Sequence, residues 1–179
     1  MVFSSVYKAA MKLQQIDKAR YRKHLNRVIA AVIITLVVVS LVTSTTLISF
    51  FGVDDGSNFR FNLAGVVSAV LVVLLILRVV RYEPYLYEVM YVWQLKKSIN
   101  LINRYLRKVA SAAEQGDADA MQALNYSYMA SRQLYTLDDN TINMEELDAA
   151  ITVLNRQADA AGVVLDVECY HPDLLTAFK

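Results

Sequence analysis

Residues 28–53 of the chain read VIAAVIITLVVVSLVTSTTLISFFGV, and residues 61–77 read FNLAGVVSAVLVVLLIL; neither stretch contains a charged side chain. An α-helix rises 1.5 Å per residue, so about 20 residues cross a hydrocarbon core of ~30 Å. The first stretch is therefore long enough to span a bilayer with some tilt. The second is shorter, but Arg60 and Arg78 flank it and can extend their charged ends to the membrane surface.

The two apolar stretches are separated only by GVDDGSNFR, so they predict a transmembrane helical hairpin with a short outer loop at residues 52–60. Buried helices of a soluble protein are the weaker alternative, since two such runs lie side by side in one chain. The first stretch does not read as a cleaved signal peptide, because its apolar run is too long and no small-residue cleavage site follows it. The 179 residues leave room for this membrane unit and one small domain.

Lysine and arginine are concentrated on one side of the predicted hairpin. Residues 1–27 hold seven of them against the single acid Asp17, and residues 78–113 hold seven more, whereas the loop holds Asp54, Asp55 and Arg60. Because basic flanks stay in the cytoplasm, we expect a multi-pass protein of the bacterial inner membrane with both termini inside. Residues 1–27 are predicted to form a basic cytoplasmic segment that is partly an amphipathic helix. The lone Cys169 excludes an intramolecular disulfide.

The stretch RVVRYEPYLYEVMYVWQLKK, residues 78–97, follows the second apolar run and is rich in aromatic rings. Such rings gain from an interface at which one end is wet and the other apolar, so they predict a membrane-interface belt. Glu83 and Glu88 are expected to pair with Arg78 and Arg81. A redox-cofactor pocket is a weaker alternative, because the His, Cys or Gly-rich approach that binds such a cofactor is not nearby. The belt residues are Tyr82, Tyr85, Tyr87, Tyr91 and Trp93 on the inner side, and Phe50, Phe51, Phe59 and Phe61 on the outer side.

Small side chains lie on one face of the second apolar stretch, namely Ala64, Gly65, Ser68 and Ala69. Such a face lets another helix approach closely, so these residues are predicted to mediate helix packing in the membrane. Serine and threonine residues of the first stretch, at positions 40–46, can bond across to it. The spans contain no charged residue or histidine, which argues against a transport role for the hairpin alone. A pore built from several copies and lined by hydroxyls is a weaker alternative.

Residues 82–179 predict a cytoplasmic helical domain of about three helices. A basic helix over residues 85–115 carries a heptad seam, an acidic lobe over 117–179 begins at the capping residue Asp117, and a third helix opens at a capping box formed by Asn143 and Glu146. Gly116 and Gly162 are expected to end helices. The segment VVLDV reads as a short extended piece, and Pro172 starts a last turn. The first seam consists of Val92, Leu95, Ile99, Ile102, Leu106, Val109 and Ala113, and the last helix carries Met144, Leu147, Ile151, Leu154, Ala158 and Ala161.

Charge is divided along the chain: residues 1–113 have a net charge of +10 and residues 114–179 one of −9. Five basic residues on the first tail helix are predicted to contact anionic lipid headgroups or a protein partner. Nucleic acid is a weaker alternative, because no recognised binding fold accompanies them. The acidic lobe is expected to fold back on the basic helix, with an acidic rim left for a partner. The five basic residues are Lys96, Lys97, Arg104, Arg107 and Lys108.

The sequence contains partial motifs for metal binding and for catalysis, but none is complete enough to predict a metal or catalytic site. The segment DDNTINMEEL resembles the end of a calcium loop, but Tyr135 and Leu137 occupy the positions of the first two ligands. In ECYH, Cys169 and His171 could act as a nucleophile pair only if the fold brought them together. The five glycines leave none for a phosphate-binding loop. We therefore expect no catalytic residues, metal or cofactor.

Four stretches in their order and spacing carry a resemblance to a family: IDKARYRKHLNRVI, NFRFNLAGV, YVWQLKKSINLINRYLRKV and AAEQGDADAMQALNYSYMASRQLYTLDDN. Together they run from about residue 13 to residue 140. They resemble an uncharacterised bacterial family of small two-span inner-membrane proteins with a domain of unknown function. The resemblance implies the same topology and a bacterial origin, and it brings no catalytic residue, cofactor or partner.

Taken together, the sequence predicts an all-α membrane protein with a two-helix transmembrane hairpin over residues 28–81 and a helical tail. Its expected function is that of a non-enzymatic scaffold or membrane adaptor that forms homo-oligomers. An accessory subunit of a larger respiratory or transport complex is the alternative. A membrane-bound enzyme that uses Cys169 and His171 ranks third.

Overall fold

A computed structural model describes residues 12–52 and 57–179, and these residues form an all-helical fold without strands. The predicted loop residues Asp54 and Asp55 lie outside the described residues, as do residues 1–11 of the basic N-terminal segment. The chain divides into two compact units. One comprises residues 19–90, and the other comprises residues up to 18 together with residues 91–179.

The first unit is built on two long apolar helices, α1 (Lys18–Phe51) and α2 (Phe59–Val80). Both are long and apolar enough, by length and composition, to cross a membrane. Helix α1 begins ten residues before the predicted span, whereas residues 12–17 have no regular secondary structure. Among the described residues of the N-terminal segment, 12–27, those from Lys18 onward are helical.

The two apolar helices pack closely where α2 carries glycine. A Cβ placed on Gly65 would stand 2.6 Å from the Ser40 carbonyl oxygen and 3.0 Å from the Ser44 Cβ. The Ser44 hydroxyl also donates a hydrogen bond of 2.5 Å to the Asn62 side-chain oxygen. Close approach of backbones through small residues and hydroxyl bonds is typical of helix packing in membranes.

After α2 the chain turns through a 3₁₀ helix, Pro84–Leu86, into α3 (Tyr87–Asn103). Pro84 opens this turn, where its missing N–H is tolerated, as the sequence predicts. The single basic helix predicted over residues 85–115 is wrong. It is interrupted at Arg104 and Tyr105, and α4 (Leu106–Glu114) follows.

The interruption leaves the predicted seam buried on both of its sides, with one exception. The predicted seam residues Val92, Leu95, Ile99 and Ile102 are buried on α3, and Val109 and Ala113 are buried on α4. Leu106, in the first turn after the break, is 39% exposed. Leu106 directly follows the two non-helical residues Arg104 and Tyr105, and the buried pattern resumes at Val109.

Helix α5 (Ala118–Asp138) is the centre of the second unit. Residues 121–127 are all buried, so this helix is enclosed by its neighbours, which include α4 and α6 (Met144–Ala161). Asp117 caps α5 by accepting a hydrogen bond from the Ala120 N–H at 2.8 Å, as predicted. The domain thus has one central helix, buried throughout residues 120–127, with amphipathic helices around it.

Helix α6 buries Leu147, Ile151, Leu154 and Ala158, which confirms the middle of its predicted seam, whereas Ala161 is exposed. The capping box predicted at Asn143 does not form, because its side chain makes no capping hydrogen bond. Gly162 ends the helix as predicted, with a left-handed φ of 69°.

The C-terminal segment packs on α5 without forming the predicted extended piece. Residues 163–166 have no regular structure and lead into the 3₁₀ helices Val167–Cys169 and Pro172–Phe178. The Gln122 amide holds this segment, since its Nε2 donates to the Val164 carbonyl at 2.7 Å and its Oε1 accepts from the Asp166 N–H at 2.9 Å. Tyr170 stacks on Tyr126 at a centroid distance of 4.3 Å.

Candidate functional site: a buried carboxylate at the end of the hairpin

Glu88, in the first turn of α3, is the centre of a polar cluster within the first unit. Its side chain is only 6% exposed. Its Oε1 lies 2.7 Å from Arg20 Nε, and its Oε2 lies 3.1 Å from His24 Nδ1. A buried carboxylate is stable when charged or polar groups satisfy its oxygens, and here α1 supplies both partners.

Tyr85 extends the cluster toward Arg27. Its ring lies against the His24 imidazole, with a centroid distance of 3.9 Å and a tilt of 32°. Its hydroxyl accepts a hydrogen bond of 3.0 Å from Arg27 Nη1. Arg20, His24 and Arg27 are spaced by four and three residues, so a single face of α1 meets the segment that follows α2.

The pairing of Glu88 corrects the sequence prediction that Glu83 and Glu88 bind Arg78 and Arg81. Glu88 points to α1 instead, because the 3₁₀ turn separates it from the end of α2 and aims the first turn of α3 back toward the hairpin. Chemically, a carboxylate beside an imidazole can orient the ring through a hydrogen bond. With His24 8% exposed, the cluster is best suited to clamp the two ends of the hairpin together.

An apolar groove of about 410 Å³ adjoins the cluster. Its walls come from α1 and α2, with Val28 and Val32 on one side and Val73 and Leu77 on the other. Arg27 and Glu83 are its charged lining residues, and Thr35 and Tyr85 are its hydroxyl-bearing ones. The volume lies within the range of small-molecule pockets.

Most of the predicted belt residues have exposed rings. A ring can lie at the membrane–water interface only if it is exposed on the protein surface. The belt itself stays a prediction. Tyr91 is a correction, because it is 5% exposed and lies inside the second unit. Its hydroxyl donates to Gln133 Oε1 at 2.8 Å and accepts from the Gln14 N–H at 2.9 Å. The exposed rings are those of Tyr82, Tyr85, Tyr87, Trp93, Phe50, Phe51 and Phe59, whereas Phe61 is half-buried.

The predicted packing face of α2 is used inside the hairpin. Gly65 and Ala69 are buried, while Ala64 and Ser68 are half-buried. Because Gly65 already lies against Ser40 and Ser44 of α1, this face is occupied within one chain. It therefore does not by itself support contact with a second copy.

The five basic residues predicted to bind headgroups or a partner fall into two groups. Lys96 Nζ lies 3.0 Å from Asp138 Oδ2, and Lys108 Nζ donates to the Lys179 carbonyl at 3.0 Å. These contacts show the acidic lobe folded back on the basic helices, as the charge division predicts. The second group, Lys97, Arg104 and Arg107, is exposed, and Lys97 Nζ lies 5.7 Å from the Trp93 ring centroid.

The partial motifs are engaged in structural contacts. The Tyr170 ring packs on Tyr126, and the His171 Nδ1 accepts a hydrogen bond from the Asp173 N–H at the start of the last 3₁₀ helix. Asp138 and Asp139 of the calcium-like segment pair with Lys96 and Lys18. Within residues 12–52 and 57–179, no three His, Cys, Asp or Glu side chains lie together in a way that could hold a metal ion.

Sequence reasoning missed the roles of Arg20, His24 and Gln122. Arg20, His24 and Arg27 recur at intervals of four and three residues, which places them on one face of a helix. This spacing indicates that Arg20 and His24 contact a common neighbour on that face. Gln122 gave no such signal, since its partners are backbone groups more than 40 residues away.

Comparison with known proteins places the chain in a family. It belongs to the family described as protein of unknown function (DUF3087), whose model matches residues 11–175. This confirms the resemblance to an uncharacterised family. No curated protein and no solved structure matches the chain.

Proposed function

We propose that this member of the DUF3087 family is a non-enzymatic protein of the bacterial inner membrane, in which α1 and α2 cross the bilayer and the helical tail assembles copies into a cytoplasmic scaffold or adaptor. The outward faces of α1 and α2 carry this proposal. Leu41 is 60% exposed, Leu75 63% and Val79 71%. Soluble monomers rarely leave so large an apolar surface uncovered, whereas lipid tails cover it readily.

The distribution of basic residues supports the proposed orientation. Helix α1 is roughly 50 Å long at 1.5 Å per residue, so its charged first turns extend beyond a ~30 Å hydrocarbon core. These turns carry Arg20, Arg22, Lys23 and Arg27, and α2 ends near Arg78 and Arg81. Basic flanks at the same end of both helices favour a cytoplasmic location for that end and for the tail.

Two exposed surfaces of opposite charge support self-assembly through the tail. Helix α6 exposes Glu145, Glu146 and Asp159, and the α3–α4 region exposes Arg104 and Arg107. The acidic surface of one copy is complementary to the basic surface of another, and such complementarity steers association. Anionic lipid headgroups are the competing partner for the basic surface.

A charge-swap experiment on the full chain tests self-assembly. One variant carries Arg104→Glu and Arg107→Glu, and the other carries Glu145→Lys and Glu146→Lys; each is extracted in mild detergent and its mass is measured in the native state. We expect the wild type to form oligomers that weaken at high salt. Each variant alone should be monomeric, and an equimolar mixture should form mixed oligomers. A monomeric wild type, or a mixture that stays monomeric, contradicts the proposal.

An accessory subunit of a larger respiratory or transport complex is the second candidate. It is favoured by the acidic surface of α6, because Glu145, Glu146 and Asp159 form no ion pair within the described part of the chain. Gentle affinity purification separates the candidates. An accessory subunit brings a stoichiometric larger partner that the Glu145→Lys, Glu146→Lys variant loses, whereas a scaffold brings further copies of itself.

A membrane-bound enzyme that depends on Cys169 is the third candidate. In that case Cys169→Ala would abolish the phenotype while the protein is still expressed at the normal level.

A further inference from the structure

We propose that the groove between α1 and α2 binds one phospholipid with a primary-amine headgroup, with one of its acyl chains between the helices and its headgroup at Arg27 and Glu83. This inference rests on the proposed insertion of α1 and α2 into the membrane, and it names a specific lipid ligand for the groove between them. Phosphatidylethanolamine has the required chemistry.

The groove has the form of a site for a chain-like apolar ligand. It encloses about 410 Å³, and aliphatic side chains at the spacing of one helix face, Val28 and Val32 on α1 and Val73 and Leu77 on α2, supply its walls. Side chains of this kind fit an acyl chain, because they offer dispersion contacts and ask for no hydrogen bond.

The charged residues of the groove are of both signs and lie at one end of the two helices. Arg27 lies at the start of the apolar run of α1, and Glu83 follows α2 directly. A guanidinium binds a phosphate through charge-assisted hydrogen bonds, and a carboxylate binds an ammonium in the same way. A headgroup that has a phosphate and a primary ammonium complements both residues, whereas a purely anionic headgroup is repelled by Glu83.

The mouth of the groove is held in place by the polar cluster. The Tyr85 hydroxyl accepts the hydrogen bond from Arg27 Nη1, and the Tyr85 ring lies on His24, which in turn contacts the buried Glu88. The hydrogen bond to Tyr85 uses one of the five N–H groups of the Arg27 guanidinium and orients the side chain. The remaining N–H groups can donate hydrogen bonds to a phosphate. Prior fixation of a binding group lowers the entropic cost of binding.

A helix from a second copy is the other conceivable occupant, and the charges argue against it. An apolar helix would cover the aliphatic walls but would offer neither Arg27 nor Glu83 a charged partner while burying both, which is unfavourable. A lipid supplies an apolar chain and a zwitterionic head in one molecule.

Native mass spectrometry of the full-length protein, purified in mild detergent and exposed to equimolar phosphatidylethanolamine and phosphatidylglycerol, tests the proposal. We expect one phosphatidylethanolamine per chain, retained at least fivefold over phosphatidylglycerol. Glu83→Gln should remove this preference, and Arg27→Gln should lower the retention of both lipids. Val32→Phe fills the groove and should abolish retention, whereas Ile33→Phe, on the adjacent position that is 55% exposed, should not.

Equal retention of both lipids by the wild type, or equal effects of Val32→Phe and Ile33→Phe, would overturn the proposal and leave only non-specific lipid around the protein. Lipid-free dimers that Val32→Phe disrupts would assign the groove to a second copy. The proposed function fails separately, because a chain that stays in solution without detergent would contradict membrane insertion, while a membrane-integral chain without bound lipid would contradict only the groove assignment.

Discussion

Gly65 lies against Ser40 so closely that a Cβ built on it would stand 2.6 Å from the Ser40 carbonyl oxygen. Backbone atoms cannot move aside as the end of a flexible side chain can, so a larger residue must push α1 and α2 apart. The close contact of the hairpin therefore depends on glycine at this position.

Gly65→Leu is expected to separate the two helices and to destabilise the hairpin by about 1–3 kcal/mol, the usual cost of overpacking. A short thiol cross-linker between Ser44→Cys and Asn62→Cys, in a Cys169→Ser background, reports the separation, because these side chains meet in the native hairpin. The cross-linking yield should fall in Gly65→Leu. The matched control Val66→Leu, at a position 50% exposed, should leave the yield unchanged. Equal yields in both variants would show that the helices are not in close contact at Gly65.

Glu88→Gln should lower the free energy of unfolding by about 1–3 kcal/mol, because Arg20 and His24 lose their buried anionic acceptor. The cost stays below that of a fully buried ion pair, since the Arg20 side chain is 60% exposed and water can solvate it. Denaturant titration in detergent micelles measures the change. The control Glu83→Gln alters an exposed carboxylate and should change stability by less than about 0.5 kcal/mol. Similar losses in both variants would contradict a clamp centred on Glu88.

Tyr91→Phe should loosen the attachment of residues 12–17 to the rest of the second unit, because the hydroxyl bridges Gln14 and Gln133. Loss of a hydrogen bond worth about 1 kcal/mol corresponds to roughly fivefold faster opening. Hydrogen exchange should therefore accelerate at residues 12–17 and stay unchanged in α5. Tyr105→Phe, at a half-buried ring of the same unit, serves as the control. Unchanged exchange at Gln14 would mean that the bridge does not hold the segment.

Tyr170→Phe should not destabilise the protein at neutral pH and should make it more resistant to alkali. The Tyr170 hydroxyl is buried without a hydrogen-bond partner among the described residues, so its removal leaves no new unsatisfied group. Burial raises the pKa of Tyr170 above its ordinary value of 10.0, and burial likewise raises the pKa of the neighbouring Tyr126 to about 12.

The sign of the alkaline effect follows from these pKa shifts. Stability is fully present below pH 10, where tyrosine is neutral in both the folded and the unfolded chain, and it declines above pH 10 as the unfolded chain ionises. At pH 11 each buried tyrosine of this kind lowers the free energy of unfolding by about 1.4 kcal/mol. Thermal unfolding from pH 8 to pH 11 should therefore show a smaller loss in Tyr170→Phe than in the wild type. An equal loss would contradict the burial of Tyr170.

The sequence was sufficient to predict what depends on local patterns. Uncharged runs predicted α1 and α2, Asp117 predicted the start of α5, and Gly162 predicted the end of α6. Contacts distant in sequence were not predictable in this way. Glu88 has two arginines nearby in sequence, yet the turn at Pro84 directs it to α1, and Tyr91 looks like its exposed aromatic neighbours but packs between Gln14 and Gln133. The break at Tyr105 was missed because the heptad pattern in the sequence runs on without a glycine or proline.

The central claim is that α1 and α2 cross the membrane with the tail on the cytoplasmic side, and the native cysteine allows a direct test. Cys169 is exposed and is the only cysteine, and Ser57, just before α2, is exposed as well. Intact spheroplasts carrying either the wild type or Cys169→Ser with Ser57→Cys are treated with a membrane-impermeant maleimide. We predict that Ser57→Cys is labelled from outside and that Cys169 is labelled only after lysis. Labelling of Cys169 in intact spheroplasts, or protection of Ser57→Cys, would contradict the account.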